Sequence, residues 1–363
     1  MLMLFCIIRL FLGAPAMPLD DLRRRICDHH LAPEDRVLSG LQAHAPTPEQ
    51  RAAATVRAIR LVEDIRGDDR PGLMEVFLAE YGLSTREGVA LMCLAEALLR
   101  VPDADTMDAL IEDKIAPSAW GEHLGKSSSS LVNASTWALM LTGKVLQDGE
   151  GMASVLRGAV RRLGEPVIRT AVSRAMREMG HQFVLGQTIE EALKRGRAKE
   201  SKGYTYSYDM LGEAALTARD AAAFHAAYAR AITRLAPHCR SADIRENPGI
   251  SIKLSALHPR YEEAQRARVM DELVPRVSEL AHAARAAGMG LNVDAEEADR
   301  LDISLDVIEA VLRDPDLAGW NGFGVVVQAY GRRAAPVLDW LHALATELDR
   351  KLMVRLVKGA YWD

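Results

Sequence analysis

The feature that most constrains this chain is a change of period after about residue 203. From there, short runs rich in β-formers alternate with longer amphipathic stretches. The runs fall at 204–211, 250–257, 290–295, 323–330 and 352–360, with helical stretches at about 218–235, 264–287, 304–313 and 334–348. Strands separated by whole helices cannot close as hairpins, so they pair in parallel with the helices packed outside the sheet. No run leads into a G-x-G-x-x-G turn, which argues against a doubly wound dinucleotide fold. The pattern predicts an α/β architecture: an incomplete (βα)8 TIM-like barrel, of which the first five units are present.

The front of the chain has a different grain, and residues 18–200 read as helical. Thr47-Pro48-Glu49-Gln50 is a helix start, with Thr as cap, Pro in the first turn and Gln three residues after the cap. Ser84-Thr85-Arg86-Glu87 repeats that logic, and Asp105 can cap the segment that follows it. Residues 121–130 form a polar break, and helical periodicity resumes over 155–179 and 188–199. The division predicted is 1–34 as a disordered leader or short helix, 35–200 as a helical arm and all-α domain, and 201–363 as the barrel segment. Residues 1–13 are apolar apart from Arg9 and precede Ala14-Pro15-Ala16. An export signal, a leader, and an upstream start with Met17 as the first true residue all stay open on that pattern.

Composition excludes more than it proves. A net charge of −5 gives no basic surplus for a nucleic acid or an anionic lipid surface. Cys6, Cys27, Cys93 and Cys239 are far apart and form no C-x-x-C pair, as expected of reduced, buried thiols in the cytosol. Gly121 to Ser127 resembles a phosphate loop but is one residue short and follows no strand. His29-His30 and the other histidines lack metal spacing, so no metal is expected. Arg23-Arg24-Arg25 and Arg161-Arg162 read as solvated helix faces.

In a parallel barrel the working groups sit at the C-terminal strand ends, and those ends are unusually polar here. Asp209 stands in the first run between Tyr208 and Met210, Lys253 sits in the middle of the second after Ile250-Ser251-Ile252, and the third carries Asp294 with Glu296 and Glu297 just beyond. The fourth ends in Gln328-Ala329-Tyr330, and the fifth carries Arg355, Lys358 and Tyr361. Lys253 stands out, because a cation within an apolar strand is costly to bury unless paired. Alternation sets it opposite Ile252 and Leu254, with Asp209 or Asp294 as partner. The plainer alternative is that Lys253 reaches solvent past a sheet edge. Asp294 alone would be a strand-end cap, Glu296 and Glu297 a helix-start acidic pair, and Tyr361 and Trp362 core aromatics.

These residues carry a resemblance. Tyr206 to Ala215, Ile250 to Tyr261, Asn292 to Glu297, Gly319 to Gly322, Gln328-Ala329-Tyr330 and the tail Arg355 to Asp363 resemble the proline dehydrogenase domain of the bacterial bifunctional proline-utilisation flavoproteins. Gly125-Lys126-Ser127 and Val132 to Trp137 extend the likeness into the helical part. The resemblance implies a distorted barrel holding FAD behind a helical domain and dimerisation arm. It implies oxidation of L-proline to Δ1-pyrroline-5-carboxylate, with hydride passing to the flavin and electrons to a membrane quinone. Carried over by motif, Lys253, Asp294 and Arg355 are the catalytic residues, and Asp209, Lys253, Leu356 and Tyr361 line the substrate. Asp294, Gln328, Arg355, Lys358, Gly359, Ala360 and Trp362 contact the cofactor. A homo-oligomer follows, in a cytoplasmic location peripheral to the inner membrane.

The sequence departs from that pattern in three places. It shows no ribbon-helix-helix segment, so no nucleic-acid partner is expected. It carries no aldehyde dehydrogenase half. It stops after the fifth strand, without the family's Tyr-x-x-Arg-Arg helix, and Arg332-Arg333 stands elsewhere. The 363-residue chain alone is therefore expected to bind FAD poorly and to oxidise little proline. The alternative is a non-catalytic remnant or helical dimerisation module.

Overall fold

A computed structural model describes residues 17–67 and 184–359. The predicted features at 1–13, Ser84, Asp105, 121–130 and 155–179 lie outside the described residues, as do Ala360, Tyr361 and Trp362. The chain divides into two compact units, residues 46–187 and residues 1–45 with 188–363. The expected boundaries at 34/35 and 200/201 do not coincide with this division.

In chain order the first helices are α1 (Leu19–Asp28), α2 (Glu34–Gln42) and α3 (Pro48–Arg66), followed by α4 (Ile189–Glu200). α3 belongs to the 46–187 unit, and its predicted capping box forms. Thr47 Oγ1 accepts from Gln50 N at 3.2 Å, and Gln50 Oε1 accepts from Thr47 N at 2.9 Å.

The other unit is built on a parallel sheet. Its strands are β1 (Ser207–Asp209), β2 (Gly249–Ile252), β3 (Leu291–Val293), β4 (Phe323–Gln328) and β5 (Met353–Val357), paired in sequence order. Between them run α5 (Ala218–Leu235), the short α6 (Leu254–Leu257), α7 (Arg266–Ala286), α8 (Leu301–Leu312) and α9 (Ala334–Glu347). Each long helix turns an apolar stripe to the sheet. In α7 the stripe is Val269, Leu273, Val277, Leu280, Ala281 and Ala284, all buried. Burying a leucine of this kind contributes roughly 2 kcal/mol. Pro275 interrupts the α7 hydrogen bonding on its exposed side.

Three expectations need correction. The run at 250–257 is not one strand: it ends at Ile252, and Leu254–Leu257 forms a helical turn. Arg23 is also not a solvated face residue. α1 packs on α9 through buried Leu22 and Ile26, which sets the Arg23 guanidinium 5.5 Å from the Trp340 ring centre and 2.8 Å from Asp306 Oδ1. Arg25 remains on the surface, 3.1 Å from Asp339. Cys27 is exposed, not buried, and Cys239 is partly buried; both are free thiols.

Candidate active site

Parallel register and strand alternation sort every strand residue onto one of two faces. Ser251 pairs with Asn292, Asn292 with Gly324 and Gly324 with Met353, so these share a face. Two residues further along each strand, Lys253, Asp294 and Arg355 share it too, as do Ser207 and Asp209 of β1. The other face carries Ile250, Ile252, Leu291, Val293, Phe323, Val325 and Val327, all buried. One sheet thus has an apolar side under the helices and a side lined with charge.

Four of the predicted residues, Asp209, Lys253, Asp294 and Arg355, meet on that polar side. Lys253 Nζ donates to Asp209 Oδ1 at 2.9 Å, to Asp209 Oδ2 at 3.1 Å and to Asp294 Oδ2 at 3.1 Å. The Lys253 side chain is only 13% exposed, so it does not escape past a sheet edge. Arg355, buried on β5, brings Nη1 to 3.4 Å from Asp294 Oδ1 and donates from Nη2 to Ser251 Oγ at 3.2 Å. Its guanidinium thereby reaches from the fifth strand to the second.

The electrostatics follow from this sharing. Burial presses the Lys253 ammonium toward losing its proton, but Asp294 and Asp209 outweigh burial and hold its pKa above the ordinary lysine value. Burial raises the Asp294 carboxyl above the usual range; Lys253 opposes the rise and Asp209 adds to it. One ammonium serves two carboxylates, and the more buried one, Asp294, bears the larger desolvation.

Below these charges lies a hydroxyl and amide layer. Ser207 Oγ and Ser251 Oγ lie 3.0 Å apart, and Asn292 Nδ2 donates to Ser207 Oγ at 3.4 Å. Gly324 makes room for this layer, since a Cβ there would run into Asn292 Oδ1. The parity of Ser251 with Lys253 and of Asn292 with Asp294 was a visible signal for these residues, and propensity reasoning passed over it. Tyr228 left no such signal. From α5 its hydroxyl accepts the Lys253 amide at 3.2 Å, and burial pushes its pKa up to about 12.

Glu296 is no solvent-facing helix-start residue. Its side chain is 4% exposed, and Oε1 accepts from Ser255 N at 3.0 Å. Gln328 Nε2 donates to the Glu296 carbonyl at 2.8 Å. Lys358 is exposed beside Gly359, whose φ of +106 leaves no room for a Cβ against the Tyr330 ring. Leu356 is not brought to the network: its register with Val327 sets it on the apolar-face side, 44% exposed. Among the described residues no cluster of three or more His, Cys, Asp or Glu is placed to hold a metal, and no helix is long and apolar enough to cross a membrane.

Comparison with known proteins places this geometry. A family model described as Proline dehydrogenase matches residues 192–363, and one described as the DNA-binding domain of Proline dehydrogenase matches residues 73–183. The second match stands against the expectation that no nucleic acid is a partner. The chain is 50% identical over 355 residues to the bifunctional protein PutA of Escherichia coli K12, covering 96% of this chain and 27% of that protein. The PutA of Rhizobium meliloti is 52% identical over 352 residues, covering 96% of this chain and 28% of that protein. A crystal structure of Bradyrhizobium japonicum proline utilization A is 49% identical with a TM-score of 0.60, covering 97% of this chain and 34% of that one. The chain therefore spans about a quarter of the length of its curated relatives. The strands that carry the polar face all lie within 192–363, and by that match this segment is a domain of the proline dehydrogenase family.

Proposed function

We infer that the polar face of the sheet serves the oxidation of L-proline to Δ1-pyrroline-5-carboxylate with FAD as hydride acceptor. The observation that carries this reading is the Lys253 ammonium held between Asp209 and Asp294 while Arg355 closes on Asp294 from β5. A cluster of two cations and two carboxylates presents fixed charge to a small zwitterion and costs little reorganisation when it binds.

The residues fit a flavin. Arg355 Nε and Asn292 Oδ1 are buried without a hydrogen-bond partner among the described residues, a donor and an acceptor of the kind a heteroaromatic ring system can satisfy. Gly359 offers bare backbone at the end of β5. Gln328, Arg355, Lys358 and Gly359, with Ala360 and Trp362 next along the chain, would hold the group. When bound, the flavin takes up the hydride that proline gives up. Arg355 keeps a fixed positive charge at that position, which favours electron uptake. Asp209, Lys253 and Asp294 orient the substrate, and Tyr361 would border it. Leu356 gains no support from its placement.

Onward transfer to a membrane quinone through peripheral contact at the inner membrane, a cytoplasmic location and a homo-oligomeric assembly belong to the same reading. A nucleic-acid partner for residues 73–183 is a second reading, favoured by the description of the family model that matches there. Salt-dependent binding to duplex DNA tests it. The main reading is tested with the full-length gene product. Proline-dependent reduction of a dye and a flavin absorbance band are expected, and no proline turnover in flavin-loaded protein sinks the reading.

A further inference from the structure

Below the site, β2 and β3 are joined by backbone bonds, and the last is Asp294 N to Ile252 O at 2.9 Å. Beyond it the β2 chain turns into α6 and the ladder stops. The register does not stop. Lys253 meets Asp294 and Ser255 meets Glu296 at the same sequence separation of 41. The Glu296 carboxylate, accepting the Ser255 amide, acts as a side-chain rung where the backbone can no longer supply one.

That rung connects further than the two strands. Ser255 Oγ accepts from Ala214 N at 3.0 Å, and Ser255 O accepts from Ala215 N at 2.9 Å. Ala214 has φ of +53, a left-handed conformation that a residue with a Cβ adopts only when its surroundings fix it. On the other side the Glu296 carbonyl takes the Gln328 amide. The loops that leave β1, β2 and β3, and the last residue of β4, are thus wired through Glu296 and Ser255. The second carboxylate oxygen faces Arg300 at 3.7 Å.

We propose that Glu296 is a positioning residue. Its bonds go to Ser255, Gln328 and Arg300 and not to Lys253 or Asp294, but it pins the two chain segments on which they stand and so sets the spacing of their ion pair. This rests on the reading of the polar face as the proline-oxidising site. Displacements of an ångström at such a site cost about 100-fold in rate.

The experiment compares Glu296→Gln, Glu296→Asp and Glu296→Ala in the full-length protein. Glutamine keeps an oxygen at the right reach for Ser255 N, whereas aspartate keeps the charge but falls short of it. Two readouts are taken: KM and kcat for proline, and hydrogen exchange of the Ser255 amide. Glu296→Gln is expected to hold KM within about 3-fold of wild type and to keep Ser255 protected, because the acceptor survives. Glu296→Asp and Glu296→Ala are expected to raise KM about 10-fold or more, with a smaller change in kcat, and to expose the amide to exchange. If Glu296→Ala does not fold, the Gln and Asp pair decides the matter alone. A harmful glutamine with a harmless aspartate overturns the proposal, as does an unchanged KM in a variant whose Ser255 amide exchanges freely. Absence of turnover in wild type would remove the proline reading instead, and the exchange data would still judge the rung.

Discussion

On one side of the sheet Ile250, Ile252, Leu291, Val293, Phe323, Val325 and Val327 are buried under α5, α7, α8 and α9; on the other, Ser207, Ser251, Asn292, Lys253, Asp294 and Arg355 are linked by hydrogen bonds and ion pairs. The same strands supply both sides, residue by residue. The difference teaches how labour is divided. The apolar side gains its energy from area removed from water, which is non-directional, so its residues hold the molecule together without fixing any one geometry closely. The polar side cannot be held that way. Its groups are costly to bury, and they persist because each charge meets another within hydrogen-bonding distance.

The largest effect that would sharpen this contrast is expected on the apolar side. Ile250 is fully buried in the second strand. Ile250→Ala should cost about 3–4 kcal/mol, read as a lower denaturation midpoint, while KM for proline in the folded protein stays within about 2-fold. A variant of normal stability with a changed KM would show that the two sides are not separable. Lys253→Met should follow at about 3 kcal/mol, since it strands Asp294 without its nearest cation. Unlike Ile250→Ala, it should also lower kcat/KM by about 100-fold or more in protein that remains folded. Equal losses of stability with intact turnover would mean that the charged cluster is structural.

How much of this was legible depended on the range of the signal. The alternation of strands and helices is local, so every predicted strand has a counterpart and α5 and α9 begin where expected, at Ala218 and Ala334. Strand ends were not legible: 204–211 shrank to Ser207–Asp209 because only those residues find a partner on β2. Asp209 and Asp294 were legible as partners of Lys253 because a cation within an apolar strand needs a carboxylate on its own face, a one-dimensional clue to a three-dimensional meeting. Glu296 was misjudged, since an acidic pair before a helix is ordinarily solvated, and only the packed neighbours show that its side chain is enclosed. Tyr228 was out of reach of any spacing rule, because its hydroxyl arrives from the middle of a helix. Leu356 was assigned by motif, and the parity of β5 sends it the other way.

A smaller effect should come from Ser251, which is fully buried and takes the Arg355 guanidinium at 3.2 Å. Ser251→Ala removes that acceptor and the contact with Ser207, at about 1–2 kcal/mol. The midpoint of chemical denaturation checks it, and an unchanged midpoint would show that water replaces the hydroxyl.

The smallest expected effect concerns pH, and it lies where the β2 loop passes from the polar side toward α7. His258 is 1% exposed; its Nδ1 accepts from Arg260 N at 3.1 Å, and Nε2 lies 3.3 Å from Glu272 Oε2. Burial lowers its pKa below the ordinary histidine value; Glu272 opposes that, and Arg268 and Arg276 add to it. Between the lowered value and the ordinary one, the unfolded chain binds a proton that the folded protein refuses. The stabilisation from a neutral His258 is therefore fully present above the ordinary histidine range and is lost as pH falls through the folded value. The raised carboxyls of Asp294 and Glu296 act with the opposite sign at lower pH, so the wild-type curve alone does not isolate the histidine. A difference does. His258→Asn keeps an oxygen that can accept from Arg260 N and cannot titrate. Thermal midpoints between about pH 7.5 and 5.5, a range that spans the ordinary histidine pKa, should fall further in wild type than in the variant. Parallel curves would mean that His258 accepts a proton when folded as readily as when unfolded, and that its enclosure by the α7 side chains carries no electrostatic cost.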